Sequence, residues 1–311
     1  MSDHSHGHSL AEDLPLMEAM ASRRRALKWF AGAGTAALVA GCGGSESTST
    51  GSVAVVSGTS TAVTPTPTAT ATPTPTATAT ATSTATVTTA STGCIADPTE
   101  TAGPYPADGT NTSGGSTSNV LVSSGVVRSD IRPSFISTTT VATGVMLKIT
   151  LTVVNVNASC APLAGYAVYL WHCDRLGNYS LYSGATGESY LRGVQVTDAN
   201  GQVTFTTIYP ACYSGRWPHM HFEIFSSLAN ALGGRYSVLT SQLAMPASWN
   251  ATVFADTTLY PTRASNLRSV SLANDNVFGD NTAAQLTQQQ PTITGTVATG
   301  LTATALIGIA R

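Results

Sequence analysis

The chain has 311 residues, only 10% of them charged, and a formal net charge of −2. No basic stripe appears after residue 28, which excludes a nucleic-acid binder that works by neutralising phosphates. Hydrophobic content is 42%, but alanine in a repetitive stretch inflates that figure.

Residues 1–42 carry addressing information. Ser22-Arg23-Arg24-Arg25-Ala26-Leu27-Lys28 is a twin-arginine pattern. The apolar stretch from Trp29 to Ala40 is too short for a comfortable membrane span. It ends in Val39-Ala40-Gly41-Cys42, a lipobox-like sequence in which the cysteine becomes a lipidated N-terminus. The expectation is export by the twin-arginine machinery and a lipid anchor at Cys42. That places the protein at the outer face of a bacterial membrane, or in the periplasm or outside. His4, His6 and His8 lie upstream of this signal and receive no role.

Residues 43–93 are almost entirely Ser, Thr, Ala, Pro, Gly and Val, with no aromatic side chain. Such a segment buries too little apolar surface to offset its ordering entropy, so a disordered stalk is expected. Its prolines favour extended, solvated backbone.

Composition changes at Cys94, and residues 94–311 suffice for one sizeable domain. Leu147, Ile149, Leu151 and Val153 alternate with Lys148, Thr150 and Thr152, which predicts a half-buried strand. Tyr166 to His172 is β-rich. Val194 to Thr197, then Asp198-Ala199-Asn200-Gly201, then Val203 to Ile208 predict strand, tight turn, strand. His219 to Phe225 alternates too. Leu228 to Leu232 suits one short helical turn, and no longer helical stripe with caps is evident. The fold class is therefore all-β, a sandwich of two packed sheets.

Cys94, Cys160, Cys173 and Cys212 allow up to two disulfides in an exported domain, with three complete pairings. Cys94 with Cys160 is the expected bridge, tying the leading segment to the strand region. Cys173 and Cys212 are left as a second bridge or as buried thiols.

The stretch Arg216-Trp217-Pro218-His219-Met220-His221-Phe222-Glu223-Ile224 carries the chemistry. Residues i and i+2 of a strand share a face, so two imidazoles about 6–7 Å apart along the backbone can converge on one ion. Met220, Phe222 and Ile224 would face the core. A pair of ordinary half-exposed strand histidines is the competing reading. The preceding loop, Tyr209 to Arg216, brings Tyr213 and Arg216 close. Trp171-His172-Cys173-Asp174-Arg175-Leu176-Gly177-Asn178-Tyr179 ends a strand in a Gly-Asn turn followed by a tyrosine.

Five pieces, in order, carry a resemblance to a known family: T-A-G-P-Y, W-H-C-D-R-L-G-N-Y-S, R-G-V-Q-V-T-D-A-N-G-Q-V-T-F-T-T-I-Y-P, Y-S-G-R-W-P-H-M-H and D-N-V-F-G-D. Together they resemble the intradiol ring-cleavage dioxygenases, the family of protocatechuate 3,4-dioxygenase and catechol 1,2-dioxygenase. The resemblance covers nearly all of 94–311, and the leader and stalk point to an exported branch. It implies a non-haem Fe(III) centre with Tyr179, Tyr213, His219 and His221 as ligands. Phenolate oxygen is a hard anionic donor that suits ferric iron, whereas a 2-His-1-carboxylate set favours Fe(II).

The implied reaction is cleavage of a catechol-type ring by O2, between the two hydroxylated carbons, to a cis,cis-muconate-type diacid. Tyr213 would leave the metal and take a proton from the substrate. Arg216 would sit beside the ring and stabilise carbanion character. Gly103, Pro104 and Tyr105 would form one wall of the substrate slot, with Gln242 as a pocket glutamine. Arg192 and Asp198 are expected as a buried pair or turn residues, and His172 as a core histidine. Each tyrosine taken alone is an ordinary core residue, and Arg216 alone a solvated loop cation.

Two features depart from the family pattern. Ala211-Cys212 stands where a glycine-containing pair is common, and Ser-Leu-Tyr follows Tyr179 in place of a tryptophan-arginine continuation. No basic residue stands out to clamp a ring carboxylate, so catechol or a hydroxyquinol-like ring is as well suited as protocatechuate. The competing function is a non-catalytic, lipid-anchored β-sandwich binding module. An H-x-H copper or zinc enzyme is disfavoured by the shortage of further histidines. A homo-oligomer stays open.

Overall fold

The computed structural model describes residues 93–311 apart from 114, 115, 183, 214, 235 and 262. The signal segment, Cys42 and the stalk lie outside the described residues. Among the described residues, no helix is long and apolar enough to cross a membrane.

Two sheets and a hairpin make up the β framework. The hairpin pairs β1 (Asp108–Ser113) with β2 (Ser116–Asn119). One sheet is built on β3 (Met146–Asn155). On one side β3 runs parallel to β11 (Gly300–Ile309), which pairs in turn with β10 (Thr292–Thr296). On its other side it pairs antiparallel with β7 (Gln202–Ile208) and the short β4 (Ala161–Pro162). The second sheet has the order β6 (Arg192–Val196), β5 (Ala167–Trp171), β8 (His219–Phe225), β9 (Leu239–Ala244), all antiparallel. Helices are short: α1 (Leu228–Leu232), α2 (Ala247–Val253), α3 (Arg263–Leu267) and α4 (Ala283–Gln288).

The period-2 pattern of β3 does what it predicts. Leu147, Ile149, Leu151 and Val153 are fully buried and join one core with Met220, Phe222 and Ile224 of β8. Lys148, Thr150 and Thr152 face outward. The strand expected at His219 to Phe225 has those bounds, and the turn expected at Leu228 to Leu232 is α1.

The structure decides three points that the sequence leaves open. The Asp198–Gly201 turn does not close a hairpin within one sheet: β6 pairs with β5, whereas β7 pairs with β3, so the turn carries the chain from one sheet to the other. Asp198 is a turn residue, its Oδ1 accepting the amides of Asn200 and Gln202 at 2.9 Å each. It does not pair with Arg192, whose guanidinium is spent on Tyr105 O, Pro106 O, Ser180 O, Ser180 Oγ and Tyr169 Oη. The histidine face of β8 is not half-exposed either, because every residue of this strand is buried.

Cys94 and Cys160 form a disulfide, while Cys173 and Cys212 are buried thiols that form no second bridge. Closing a loop of 66 residues stabilises the fold by about 4 kcal/mol in the chain-entropy account. Just beyond it, Asp97 ties the leading segment to β11, its Oδ2 accepting from Gly308 N at 2.7 Å and from Gln288 Nε2 at 2.6 Å. Burial, outweighing both hydrogen bonds, pushes its carboxyl up to about 7.

A raised carboxyl pKa means the folded state holds its proton after the unfolded chain has lost it. Stability present below the unfolded value of about 4 is therefore lost as pH rises through about 7. The contribution of Asp97 should therefore decline between about pH 4 and pH 7, and in Asp97→Asn the melting temperature should lose that downward component of its pH profile. An unchanged pH profile in the variant would remove Asp97 as its source.

Candidate metal centre

One strand, β8, and two loops deliver the candidate side chains. His219 and His221 are on β8, sharing a face as residues two apart must. Tyr179 follows a tight turn in which Asp174 Oδ1 accepts the amides of Leu176 at 2.7 Å and Asn178 at 3.0 Å, with Gly177 at φ +90. Tyr213 lies in the loop between β7 and β8.

The four polar tips converge. Tyr179 Oη lies 3.3 Å from His219 Nε2 and 3.1 Å from His221 Nε2. The two Nε2 atoms are 3.0 Å apart, and Tyr213 Oη is 3.4 Å from His219 Nε2. Donors bound to one metal at about 2.0–2.2 Å and at right angles stand about 3.0 Å apart. The observed separations therefore match the edges of a single coordination polyhedron.

Hydrogen bonding tests whether a cation fits. His219 Nδ1 lies 2.5 Å from Trp217 O, and a carbonyl only accepts, so Nδ1 carries the proton and Nε2 the lone pair. Burial, then the charge of Arg216, pulls its pKa down to about 3 and keeps the ring neutral. Burial likewise takes His221 well below the ordinary value, with His219 next among the causes. His221 Nδ1 is buried and has no hydrogen-bond partner. With Nδ1 protonated, two bare Nε2 lone pairs face each other at 3.0 Å, and with Nε2 protonated, Nδ1 is left bare. A cation between the nitrogens relieves the first arrangement. The donor set thus fits a metal ion.

Among the described residues, no group of three or more His, Cys, Asp or Glu side chains could hold a metal ion. The candidate centre exists because phenols join the imidazoles, and such a set favours a hard, highly charged cation. Burial pushes Tyr179 well above the ordinary phenol value and Tyr213 up to about 12. Both phenols are therefore neutral at pH 7 without a metal, and a bound cation is what would ionise them.

His221 is oriented by packing. The Trp171 indole stacks on it with centroids 4.9 Å apart and planes 7° apart. On another side Gly103, at φ +72, comes so close that a Cβ there would lie 3.2 Å from His221 Cε1. Tyr105 packs on Tyr179, ring centroids 4.9 Å apart, whereas the Pro104 carbonyl accepts from Asn111 Nδ2 at 2.5 Å. The T-A-G-P-Y segment thus reaches the site through Gly103 and Tyr105.

Arg216 is no solvated loop cation, for it is 2% exposed. Its Nη1 is 3.5 Å from His219 Nε2, its Nη2 donates to Gln242 Oε1 at 2.7 Å, and its Nε donates to Asp275 Oδ2 at 2.9 Å. Gln242 is fully buried opposite His221 on β9 and passes its Nε2 hydrogen to Thr101 O at 2.8 Å. Both ends of that amide are used inside the protein.

His172 is a satisfied core histidine, with Nδ1 2.8 Å from Cys173 O and Nε2 2.7 Å from Thr207 Oγ1. Trp217 is buried, its indole donating to Met245 O at 2.8 Å. Sequence reasoning missed Asp275 and Trp171. Asp275 was quoted within D-N-V-F-G-D, but nothing there joins it to an arginine 59 residues earlier.

The chain is similar to several known proteins. A family model described as "Dioxygenase" matches residues 137–234, a stretch containing Tyr179, Tyr213, Arg216, His219 and His221. An intradiol ring-cleavage dioxygenase from Tetranychus urticae shares the fold, with TM-score 0.51 and 24% identity over 70% of this chain and 95% of its own. Catechol 1,2-dioxygenase from Pseudomonas arvilla is 18% identical, with TM-score 0.41, over 68% of this chain and 62% of its own. Hydroxyquinol 1,2-dioxygenase from Pseudomonas putida is 16% identical, with TM-score 0.38, over 65% and 68% respectively.

Proposed function

We propose that this chain, which resembles the intradiol ring-cleavage dioxygenases in its motifs, its family match and its fold, is an Fe(III)-dependent enzyme that cleaves a catechol-type ring with O2. The observation that carries the reading is the convergence of Tyr179 Oη, Tyr213 Oη, His219 Nε2 and His221 Nε2. When bound there, ferric iron supplies the Lewis acidity that draws electron density from a catecholate and opens its ring to O2.

The chain's own residues do the rest. Tyr179, buried on its turn, would be the lasting anionic holder, whereas Tyr213, half-buried on the loop between β7 and β8, would be the ligand that leaves the metal. Tyr213 Oη is therefore the atom that accepts a hydroxyl proton as the catechol docks. Arg216 is held rigid by Asp275 and Gln242, so its guanidinium meets developing negative charge on the ring without reorganising. Gly103 leaves room beside His221 where any side chain would intrude, and Tyr105 offers a flat wall.

Iron-loaded protein should convert catechol or a hydroxyquinol-type ring to a cis,cis-muconate-type diacid, with both atoms of isotopically labelled O2 in the product. Product containing one labelled atom or none would rule out intradiol dioxygenation. A colourless protein that takes up no iron and consumes no O2 would leave a non-catalytic binding module.

The proposal extends to location. The twin-arginine pattern and the lipobox-like Val39-Ala40-Gly41-Cys42 support export in the folded state and anchoring through Cys42. Cys42→Ala should move the protein from the membrane fraction to the soluble one, and an unchanged distribution would remove the anchor.

A further inference from the structure

The most demanding feature of the centre is a guanidinium where a cation should bind. Arg216 Nη1 lies 3.5 Å from His219 Nε2, and both side chains are buried. Two positive charges at such range repel strongly in a low-dielectric interior, and a trivalent ion multiplies the effect. Arg216 by itself therefore works against the site it is meant to serve.

Asp275 meets it from behind. Its Oδ2 accepts from Arg216 Nε at 2.9 Å and from the Trp217 amide at 2.7 Å. Its Oδ1 accepts the amides of Val277 at 2.9 Å and Phe278 at 3.2 Å. The side chains of the ion pair are 3% and 0% exposed. Trp217 is held on both sides of its Cα: its N–H is given to Asp275, and its carbonyl, in the following peptide, accepts from His219 Nδ1. One carboxylate thus grips the arginine and also the backbone of the residue whose carbonyl sets the tautomer of a candidate ligand.

We propose that Asp275 is a positioning residue of the metal centre, its buried carboxylate neutralising and fixing Arg216 so that a guanidinium and a multiply charged cation share one buried pocket. The inference rests on the ferric reading of the site. It separates charge from anchoring. An asparagine at 275 keeps most of the shape and can still accept from the backbone amides, but it leaves Arg216 as a naked charge beside the donors.

The test is Fe(III) binding by purified apo-protein, measured by competition with citrate and by the visible phenolate-to-iron band. Asp275→Asn should lower Fe(III) affinity by about tenfold or more. Adding Arg216→Gln to it should recover most of that affinity while turnover stays lost. A loop anchor alone would leave the double variant no better than Asp275→Asn, and that result overturns the proposal. So does Fe(III) binding by Asp275→Asn as tight as wild type, which leaves the ferric reading standing. Arg216→Gln alone should bind Fe(III) at least as tightly as wild type. A tenfold fall in that variant also overturns the proposal, even where Asp275→Asn fails to fold. Wild-type protein that takes up no Fe(III) would instead bring down the ferric reading, and the inference with it.

Discussion

His221→Ala should emerge from purification without iron and without colour, and ring cleavage should fall by about three orders of magnitude or more. His221 Nε2 stands 3.0 Å from His219 Nε2 and 3.1 Å from Tyr179 Oη, so its loss opens one corner of the polyhedron. The substitution also leaves a cavity against Trp171, costing about 2–4 kcal/mol in a buried site. Loss of iron could then be blamed on the fold. Tyr179→Phe separates the two causes, because it removes one oxygen at nearly constant volume and leaves the ring packed on Tyr105. Both variants should lose iron and colour, and Tyr179→Phe should melt close to wild type. Metal analysis and circular dichroism decide the matter, and a variant that keeps iron and colour takes its residue out of the centre.

The second large effect is expected of Arg216→Lys, which should cut kcat by about 100-fold while iron and the resting colour persist. Charge is conserved, so the buried Asp275 keeps a cationic partner. Shape is lost. The guanidinium reaches Asp275 through Nε, Gln242 through Nη2 and the face of the centre through Nη1. An ammonium on a flexible stem cannot hold all three positions, and the atom nearest the substrate is the one released. Steady-state kinetics should show the loss in kcat rather than in KM, because the interaction strengthens only as the ring gains negative charge. A lysine variant with unchanged kcat would assign Arg216 to charge balance alone.

The strands were legible where one face is buried and the other is not. β3 alternates Leu, Ile, Leu, Val against Lys and Thr, and it forms with that alternation inward and outward. The two-residue spacing of His219 and His221 was equally legible, since a strand leaves no choice about which face they share. Neither bounding turn hid its tyrosine, because Gly177 and the Asp174 cap mark the turn before Tyr179.

What pattern could not supply was pairing between distant segments. The Asp-Ala-Asn-Gly turn has the composition of a hairpin, yet the strands it joins enter different sheets. Local turn chemistry sets a reversal and is silent about the partner. The parallel pairing of β11 with β3 joins Leu147 to Leu301, across well over half the domain, and leaves no local trace. The spacing of β8 leaves half-exposed histidines as a competing reading, yet the strand is buried on both faces, because loops carrying Gly103, Tyr179 and Tyr213 close over the histidines. The helices α2 and α4 run 7 and 6 residues, too short to show a stripe. Asp275 was hidden for a similar reason: its meaning is an ion pair, and ion pairs are written in space.

The central claim is that two phenols and two imidazoles hold one ferric ion. Its most direct test is a titration of the purified apo-protein with Fe(III), followed by visible absorption and then, without O2, by addition of catechol. The account predicts saturation at one iron per chain, a burgundy phenolate-to-iron band and a shift of that band as catechol binds. Iron that binds without such a band, or a band that catechol leaves unmoved, would contradict it.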